Sequence, residues 1–398
     1  MKILLVSSLY PNAAQPHHGV FVENRLRHLL AMSGFEAQVI APIPWFPFQH
    51  PVFGGYAEFA RAPGQEMRHG LTILHPRFAV LPKIGMHLAP HSYYRAIRRS
   101  YRRLIAEGHR FDLIDAHYFY PDGVAAARLA REVGLPYAIT GRGTDLNLIP
   151  HYERPRRLIR EAAEGASALI TVCAALADDL AAIGIDRTRI EVLRNGVDLG
   201  NFHRDEIGAK ALRARLGIER GPVLASVGHL IERKAHDLVI RALADLPDMH
   251  LLIAGKGPDE ASLRALAASL GLEARVHFLG VLPHEALKTV YSAADILVLA
   301  SSREGWPNVL LESMACGTPV VASAVNGTPE VIEEPVAGAI LPARTPEAIV
   351  DEVRRLHARL PDPAAVRAYA ERYSWDETSA AQMRLFRAMT GKRESVAS

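Results

Sequence analysis

The sequence predicts an α/β protein built from two doubly wound domains, each a parallel sheet with helices on both faces. Three observations lead there. Short apolar, β-branched runs alternate with helical stretches along the chain. Those runs are continuously apolar, as strands buried on both faces are. The pattern then restarts after Asn195-Gly196-Val197-Asp198, a turn signal. A chain of 398 residues is long enough for two domains of ordinary size, here 1–195 and 196–375. Ligands in such sheets bind beyond the strand C-termini, and the reading places them where the two domains face across a cleft.

The elements follow in order. Met1-Lys2-Ile3-Leu4-Leu5-Val6 opens a buried first strand over 3–7. It is too short for a signal-peptide core and has no small-residue cleavage site. Further strands are predicted at 37–41, 71–75, 113–116, 137–140, 169–172 and 191–193, and in the second domain at 223–227, 250–254, 275–279, 296–300, 320–323 and 339–341. The segment 42–90 is rich in Pro, Gly and aromatics and reads as a long excursion with little regular structure. A last helix runs from about 375 to 389, with Ala381, Met383, Leu385, Phe386 and Met389 at helical spacing, and the final residues read as frayed. No segment approaches 18 uncharged apolar residues, the length a spanning helix needs.

Hydrophobic residues at 49% and charged residues at 22% are ordinary for a soluble globular protein. Only Cys173 and Cys316 are cysteines; both lie among apolar neighbours and suit a reducing compartment better than a disulfide scaffold. The net charge of +3 divides unevenly, +6 over residues 1–195 and −3 over the remainder. The helix-like stretch from Tyr93 to Ile105 carries Arg95, Arg98, Arg99, Arg102 and Arg103 among Tyr, Ile and Leu. It fits either an anionic membrane surface or a solvated outer face. No helix-turn-helix, zinc or RNA-binding motif accompanies it, which argues against nucleic acid.

The richest stretch is Ser301 to Pro319. Glu304 follows an apolar strand, and Glu312, eight positions on, falls in a short apolar helix that stops at Gly317 and Pro319. The Gly-Trp-Pro-Asn turn between them aims a helix N-terminus at a strand end, where backbone N–H groups can hold phosphate. Two carboxylates for hydroxyls and one anion site suit a sugar nucleotide. The alternative is a solvated glutamate pair, with a protein N–H as partner to Glu312. Arg233 and Lys234, in the loop after the first strand of the second domain, suit a diphosphate; the alternative is a solvated pair ahead of a helix. Gly255-Lys256-Gly257 ends the second strand there, but Glu260 stands where a dinucleotide fingerprint needs its third glycine, and no Walker loop occurs. His117 closes a first-domain strand and could donate to a sugar hydroxyl or phosphate. Gly19, after His17-His18, would let backbone approach a ligand. No Cys/His cluster or Asp-x-Asp pair supports a metal, and Asn326-Gly327-Thr328 matches a glycosylation site only by pattern.

Together these residues resemble the retaining GT-B fold glycosyltransferases of family 4 (glycosyl transferases group 1), over nearly the whole chain. Glu304 to Glu312 resembles that family's paired-glutamate motif, with Gly305, Pro307, Gly317, Pro319 and Val320. Asn326-Gly327-Thr328-Pro329-Glu330-Val331 is similar to the segment that follows it, and Val276-His277-Phe278-Leu279-Gly280 to the stretch that meets the base. Asn195-Gly196-Val197-Asp198 is similar to the interdomain linker, and His117 with Tyr120-Pro121-Asp122-Gly123 to the acceptor-side segment. Three departures stand out: His229 and Ala235 replace a usual Arg and Gly, and Asn326 replaces a frequent Gly.

The resemblance implies roles. Glu312 would bind ribose, Glu304 the transferred sugar, and Arg233 and Lys234 the leaving diphosphate. The N–H groups of Asn308, Val309 and Leu310 would assist. His117 would contact the donor sugar, and Gly19 would line the phosphate cleft. His229, Phe278 and Gly280 would complete the nucleotide site. The helix at about 376–390 would pack back on the first domain. The implied activity is a metal-independent, cofactor-free, retaining hexosyltransferase. Its donor would be a nucleotide-diphosphate sugar, UDP favoured over GDP, and its acceptor a glycan or lipid-linked glycan of polysaccharide or cell-envelope biosynthesis. The expected location is cytoplasmic, with a peripheral membrane contact open. A GT-B nucleotide-sugar epimerase or hydrolase, and a non-catalytic binding protein, are the alternatives.

Overall fold

Strand β1 (Lys2–Ser7) lies at the centre of an eight-stranded sheet in the computed structural model, which describes residues 1–46, 50, 55–80 and 85–391. The remaining strands of the first half are β2 (Glu36–Ile40), β3 (Ile43–Pro44), β4 (Gln65–Arg68), β5 (Leu71–Leu74), β6 (Arg77–Phe78), β7 (Leu113–His117), β8 (Tyr137–Gly141), β9 (Ala168–Thr171) and β10 (Ile190–Val192). The sheet order is β10-β9-β8-β7-β1-β2-β5-β4, and every pairing is parallel except β4 with β5. Every residue of β7, β8 and β9 is buried, which is why their sequences carry no alternation. Strand order reverses between β1 and β7, so the loops that follow these two strands leave the sheet side by side.

The second sheet has six strands, all parallel: β11 (Val223–Val227), β12 (His250–Ala254), β13 (Val276–Gly280), β14 (Ile296–Leu299), β15 (Val320–Ser323) and β16 (Gly338–Leu341), in the order β13-β12-β11-β14-β15-β16. Its switch point lies between β11 and β14. The helices His236–Ala244 and Pro346–His357 bury Val239, Ile240, Leu243, Ile349 and Val353 against this sheet. The chain divides into two units, Met1–Asn195 with Asp376–Ser398 (unit 1) and Gly196–Trp375 (unit 2). The helix Trp375–Thr390 carries Gln382 to the fully buried Arg25 of unit 1, whose Nε donates to Gln382 Oε1 at 2.8 Å. Phe386 of the same helix packs with Ile3, Leu113 and Ala138.

The segment 42–90 departs from the sequence reading. Its described residues form the parallel pair β3–β6, a helix Gly55–Arg61, and a β4–β5 hairpin, and the helix Gly85–Ala106 begins there as well. The hairpin turns on two residues, His69 at φ 48 and Gly70 at φ 78, the double positive-φ turn that matches strand twist. His-Gly is a weaker written signal for that turn than Asn-Gly, and β4 is an edge strand with one wet face. The expected fraying after residue 391 lies outside the described residues. No described helix is long and apolar enough to cross a membrane. Cys173 and Cys316 are both buried thiols.

Candidate active site

At the switch point of unit 2 the loop after β11 meets the loop after β14. The first contains a single 3-10 turn, Glu232–Lys234. The second runs through Arg303 and Glu304 to the helix Asn308–Ala315. Two hydrogen bonds fasten them: the Ser302 backbone N–H donates to the Arg233 carbonyl at 2.9 Å, and the Arg233 side chain donates through Nη1 to the Arg303 carbonyl at 2.7 Å. That lock brings Lys234 Nζ to 2.5 Å from Glu304 Oε1 and Arg233 Nη1 to 3.5 Å from Oε2. Glu304 is only 7% exposed. Burial alone would raise its carboxyl, but the Lys234 ammonium, the Lys234 and Ser301 hydrogen bonds and the Arg233 guanidinium overrule burial and hold it below the ordinary carboxylate value.

Two of the three departures from the family pattern acquire a local explanation. Ala235 sits at φ 50 and Asn326 at φ 43, both left-handed positions where glycine is easiest and Asn is tolerated. Asn326 adds something glycine cannot: its Oδ1 accepts from the Glu304 backbone N–H at 3.2 Å. The loop after β15 therefore holds Glu304 in place. Sequence reasoning saw Asn326 only as a doubtful substitution.

Glu312 lies in the buried helix Asn308–Ala315, among Leu310, Leu311 and Met314, each worth about 2 kcal/mol in burial. Its partners are side chains of the protein, a ring nitrogen and a hydroxyl, so the protein partner weighed from sequence is present. His284 Nε2 lies 2.9 Å from Oε1, and the Tyr291 hydroxyl donates to Oε2 at 2.8 Å. Burial works to lower His284, but Glu312 prevails and raises it. Neither residue was singled out from sequence, although seven positions separate them, two turns on one helical face.

Other expectations are narrowed. In the first turn of the Glu312 helix, Asn308 N–H donates to Trp306 O and Leu310 N–H to Pro307 O, both at 3.0 Å. Of the three N–H groups expected to assist at 308–310, those of Asn308 and Leu310 are thus committed to the turn. The Gly255-Lys256-Gly257 loop is glycine-rich for internal reasons: a Cβ on Gly255 would lie 1.8 Å from the Gly228 carbonyl oxygen, and one on Gly257 2.1 Å from that of Leu230. Lys256 O accepts from Leu230 N–H at 2.9 Å, which welds this loop to the one carrying Arg233. Gly280 O accepts from Gly255 N–H at 2.9 Å, and Arg264 covers the Phe278 ring at 4.3 Å. His229 is exposed.

Gly19 and His117 belong to unit 1. Gly19, at φ 71, precedes the helix Val20–Ser33, and a Cβ there would lie 2.3 Å from the Leu9 carbonyl. The chain's own backbone thus already requires glycine. His117 is 1% exposed, and both ring nitrogens are engaged: Nε2 lies 3.0 Å from Asp115 Oδ2, and Nδ1 meets Arg142 Nη2. Burial, with the Arg142 charge, lowers its pKa to about 4 against the pull of Asp115. In this structure both His117 ring nitrogens have protein partners, so the expected contact with the donor sugar would need one of them released. Arg142 also donates to Asn195 Oδ1 at 2.9 Å. On the neighbouring loop, Asp122 accepts from the Ser8 backbone and hydroxyl and from Tyr93, tying the loop after β7 to the one after β1. Arg142, Asp115 and Arg25 were not legible because their meeting is tertiary. Among the described residues no group of three His, Cys, Asp or Glu is placed to hold a metal ion.

Comparison with known proteins agrees with this architecture. Residues 19–201 match the profile of Glycosyltransferase Family 4, and residues 209–373 match that of Glycosyl transferases group 1. Over 334 residues the chain is 29% identical to TuaC of Bacillus subtilis, a glycosyltransferase provisionally assigned to teichuronic acid biosynthesis, with 82% of each chain covered. It is 36% identical over 225 residues to the D-inositol 3-phosphate glycosyltransferase of Mycobacterium bovis, a match spanning 52% of this chain and 46% of that one. Among solved structures, the sucrose-phosphate synthase of Thermosynechococcus elongatus superposes with a TM-score of 0.78 at 20% identity, covering 99% of this chain and 100% of that one. HepE of Anabaena, in complex with UDP and glucose, superposes at 0.75 and 20% identity, covering 98% and 100%. The two profiles and the two parallel-sheet units lead to one conclusion: the chain belongs to glycosyltransferase family 4, the glycosyl transferases group 1, and is a glycosyltransferase of GT-B fold.

Proposed function

We propose that this glycosyltransferase moves a hexose-type sugar, with retention, from a nucleotide-diphosphate sugar to a glycan or lipid-linked glycan acceptor in polysaccharide or cell-envelope biosynthesis, with UDP favoured over GDP. The observation that carries the reading is the Arg233–Lys234–Glu304 cluster at the switch point of unit 2. Departure of a nucleoside diphosphate builds negative charge on the leaving phosphate. Two cations held by a fixed loop contact stabilise that charge without reorganising, the largest kind of catalytic term. Glu304 holds Lys234 in place and, freed by the diphosphate's competing charge, takes hydroxyls of the transferred sugar. Glu312 takes the ribose. Support for the donor comes from HepE, whose structures hold UDP and glucose, and for the pathway from TuaC's assignment to teichuronic acid.

The test is a screen of UDP- and GDP-sugars by thermal shift, followed by transfer assays with product stereochemistry. Stabilisation by one class, acceptor-dependent transfer that keeps the donor's anomeric configuration, and loss of at least about 100-fold in kcat for Arg233→Ala, the size typical of one lost electrostatic donor, are expected. Full activity in Arg233→Ala, or turnover of the donor that is equal with and without acceptor, refutes the assignment.

A further inference from the structure

Glu312 has both oxygens occupied by donors that are themselves held. His284 opens the 3-10 turn His284–Ala286, which runs into the helix Leu287–Ala293 carrying Tyr291. The two residues therefore project from one face toward the Glu312 helix. The Tyr291 backbone is pinned from the far side, where Thr318 Oγ1 donates to its carbonyl at 2.8 Å and Ser313 Oγ donates to Thr318 O at 3.0 Å. Behind His284 stands Phe202, edge-on at 5.0 Å between ring centroids. Arg367 donates to the Phe202 carbonyl and, at 2.7 Å, to that of Ala315, the last residue of the Glu312 helix. Every atom that touches the Glu312 carboxylate is thus braced against the helix that bears it.

A carboxylate offers about four acceptor positions, and two donors fill two of them. The two that remain have a fixed direction. Burial, with Glu312 beside it, pushes the Tyr291 hydroxyl well above its usual range, so it stays a donor. Resting on the reading that Glu312 takes the donor's ribose, we propose that Tyr291 and His284 are positioning residues that set ribose recognition by orienting the Glu312 carboxylate. They touch neither the sugar nor the diphosphate. Their contribution falls on nucleotide affinity and on the discrimination between ribose and deoxyribose.

The experiment measures binding of UDP, GDP and their 2′,3′-dideoxy counterparts by calorimetry to the full chain, with transfer kinetics alongside. The variants are Tyr291→Phe, His284→Ala, His284→Gln and Glu312→Gln. The wild type is expected to prefer the better ribonucleotide over its dideoxy form by about 10-fold or more, the size of a hydrogen bond to a charged group. Tyr291→Phe and His284→Ala should shrink that ratio to about 3-fold or less and raise donor KM while kcat stays within about 2-fold. His284→Gln, which keeps an N–H donor, should recover part of the ratio. A wild-type ratio in both Tyr291→Phe and His284→Ala, with the ratio lost in Glu312→Gln, overturns the positioning role and leaves the ribose reading standing. A ratio retained in Glu312→Gln, or no binding of either nucleotide, removes the ribose reading and this inference with it. His284 is partly exposed, so its variants report even where Tyr291→Phe folds poorly.

Discussion

Lys234 and Glu304 form a nearly buried ion pair, with side chains 13% and 8% exposed. Such a pair makes two demands that mutagenesis can separate. Removing one partner strands a charge away from water and costs about 3–5 kcal/mol. Removing both with neutral isosteres costs far less, yet catalysis loses both groups. Glu304 keeps Arg233 at 3.5 Å, so Lys234→Met alone should unfold earlier in urea by part of that amount. The double variant Lys234→Met/Glu304→Gln should recover most of the stability and none of the transfer. Recovered transfer would mean that the pair is structural. These residues were legible because their loops carry the chemistry in adjacent letters: Arg beside Lys, Glu after an apolar strand. Asn326, His284 and Tyr291 were not, because each acts across the sheet on a residue at least 21 positions away. The saturation of His117 was hidden for the same reason, since Arg142 lies 25 positions further along.

The helix Gly85–Ala106 shows how an element can match two sequence readings and fit one better. Tyr93, Ala96, Ile97 and Leu104 are buried, so its apolar face is spent inside unit 1. Arg98 and Arg102 pair with Glu132, and Arg103 with Glu107. Apart from the exposed Leu88, what the described residues leave for a membrane is charge, screened within about 8 Å at physiological salt. Flotation on vesicles with anionic lipid should then be weak, abolished by about 0.5 M salt, and lost when Arg95, Arg99, Arg102 and Arg103 are made Gln. Flotation that survives salt would require insertion of an apolar face, and among the described residues of this helix only Leu88 is a large exposed apolar side chain. The strands of both sheets were legible as elements because full burial makes them apolar throughout. The β4–β5 hairpin and the β3–β6 pair were not: the first alternates on an edge, and the second has strands two residues long.

At the scale of the molecule, both units carry a buried histidine held neutral. Burial is the main cause in each, and it lowers His117 in unit 1 and His236 in unit 2 to about 4. The ordinary histidine value is about 6.5. Between these values the unfolded chain binds protons that the folded chain refuses, so stability rises with pH. The contribution is complete above about pH 6.5, falls as pH drops, and is spent near pH 4, on the order of 3 kcal/mol for each residue. Proton NMR should find both rings neutral at pH 5. His236→Gln, which keeps a polar side chain, should flatten the denaturation profile of the protein between pH 7 and 5. An unchanged slope would place the acid sensitivity elsewhere. The two-unit plan was legible from the restart of the strand pattern at Asn195, whereas the buried Arg25–Asp115–His117–Arg142 cluster required the assembled sheet.

The ends of unit 2 lie against each other. Val197 bridges Ser374, and a Cβ on Gly196 would fall 2.5 Å from the Trp375 backbone nitrogen. The chain enters and leaves this unit through one doorway, as it would an inserted domain. Such a module can be exchanged: a donor-binding cassette from a relative, spliced at these two neighbouring positions, would ask its host to close only a gap one strand spacing wide. If unit 2 takes the donor, as proposed, recombination between relatives would change the sugar nucleotide consumed without rebuilding unit 1.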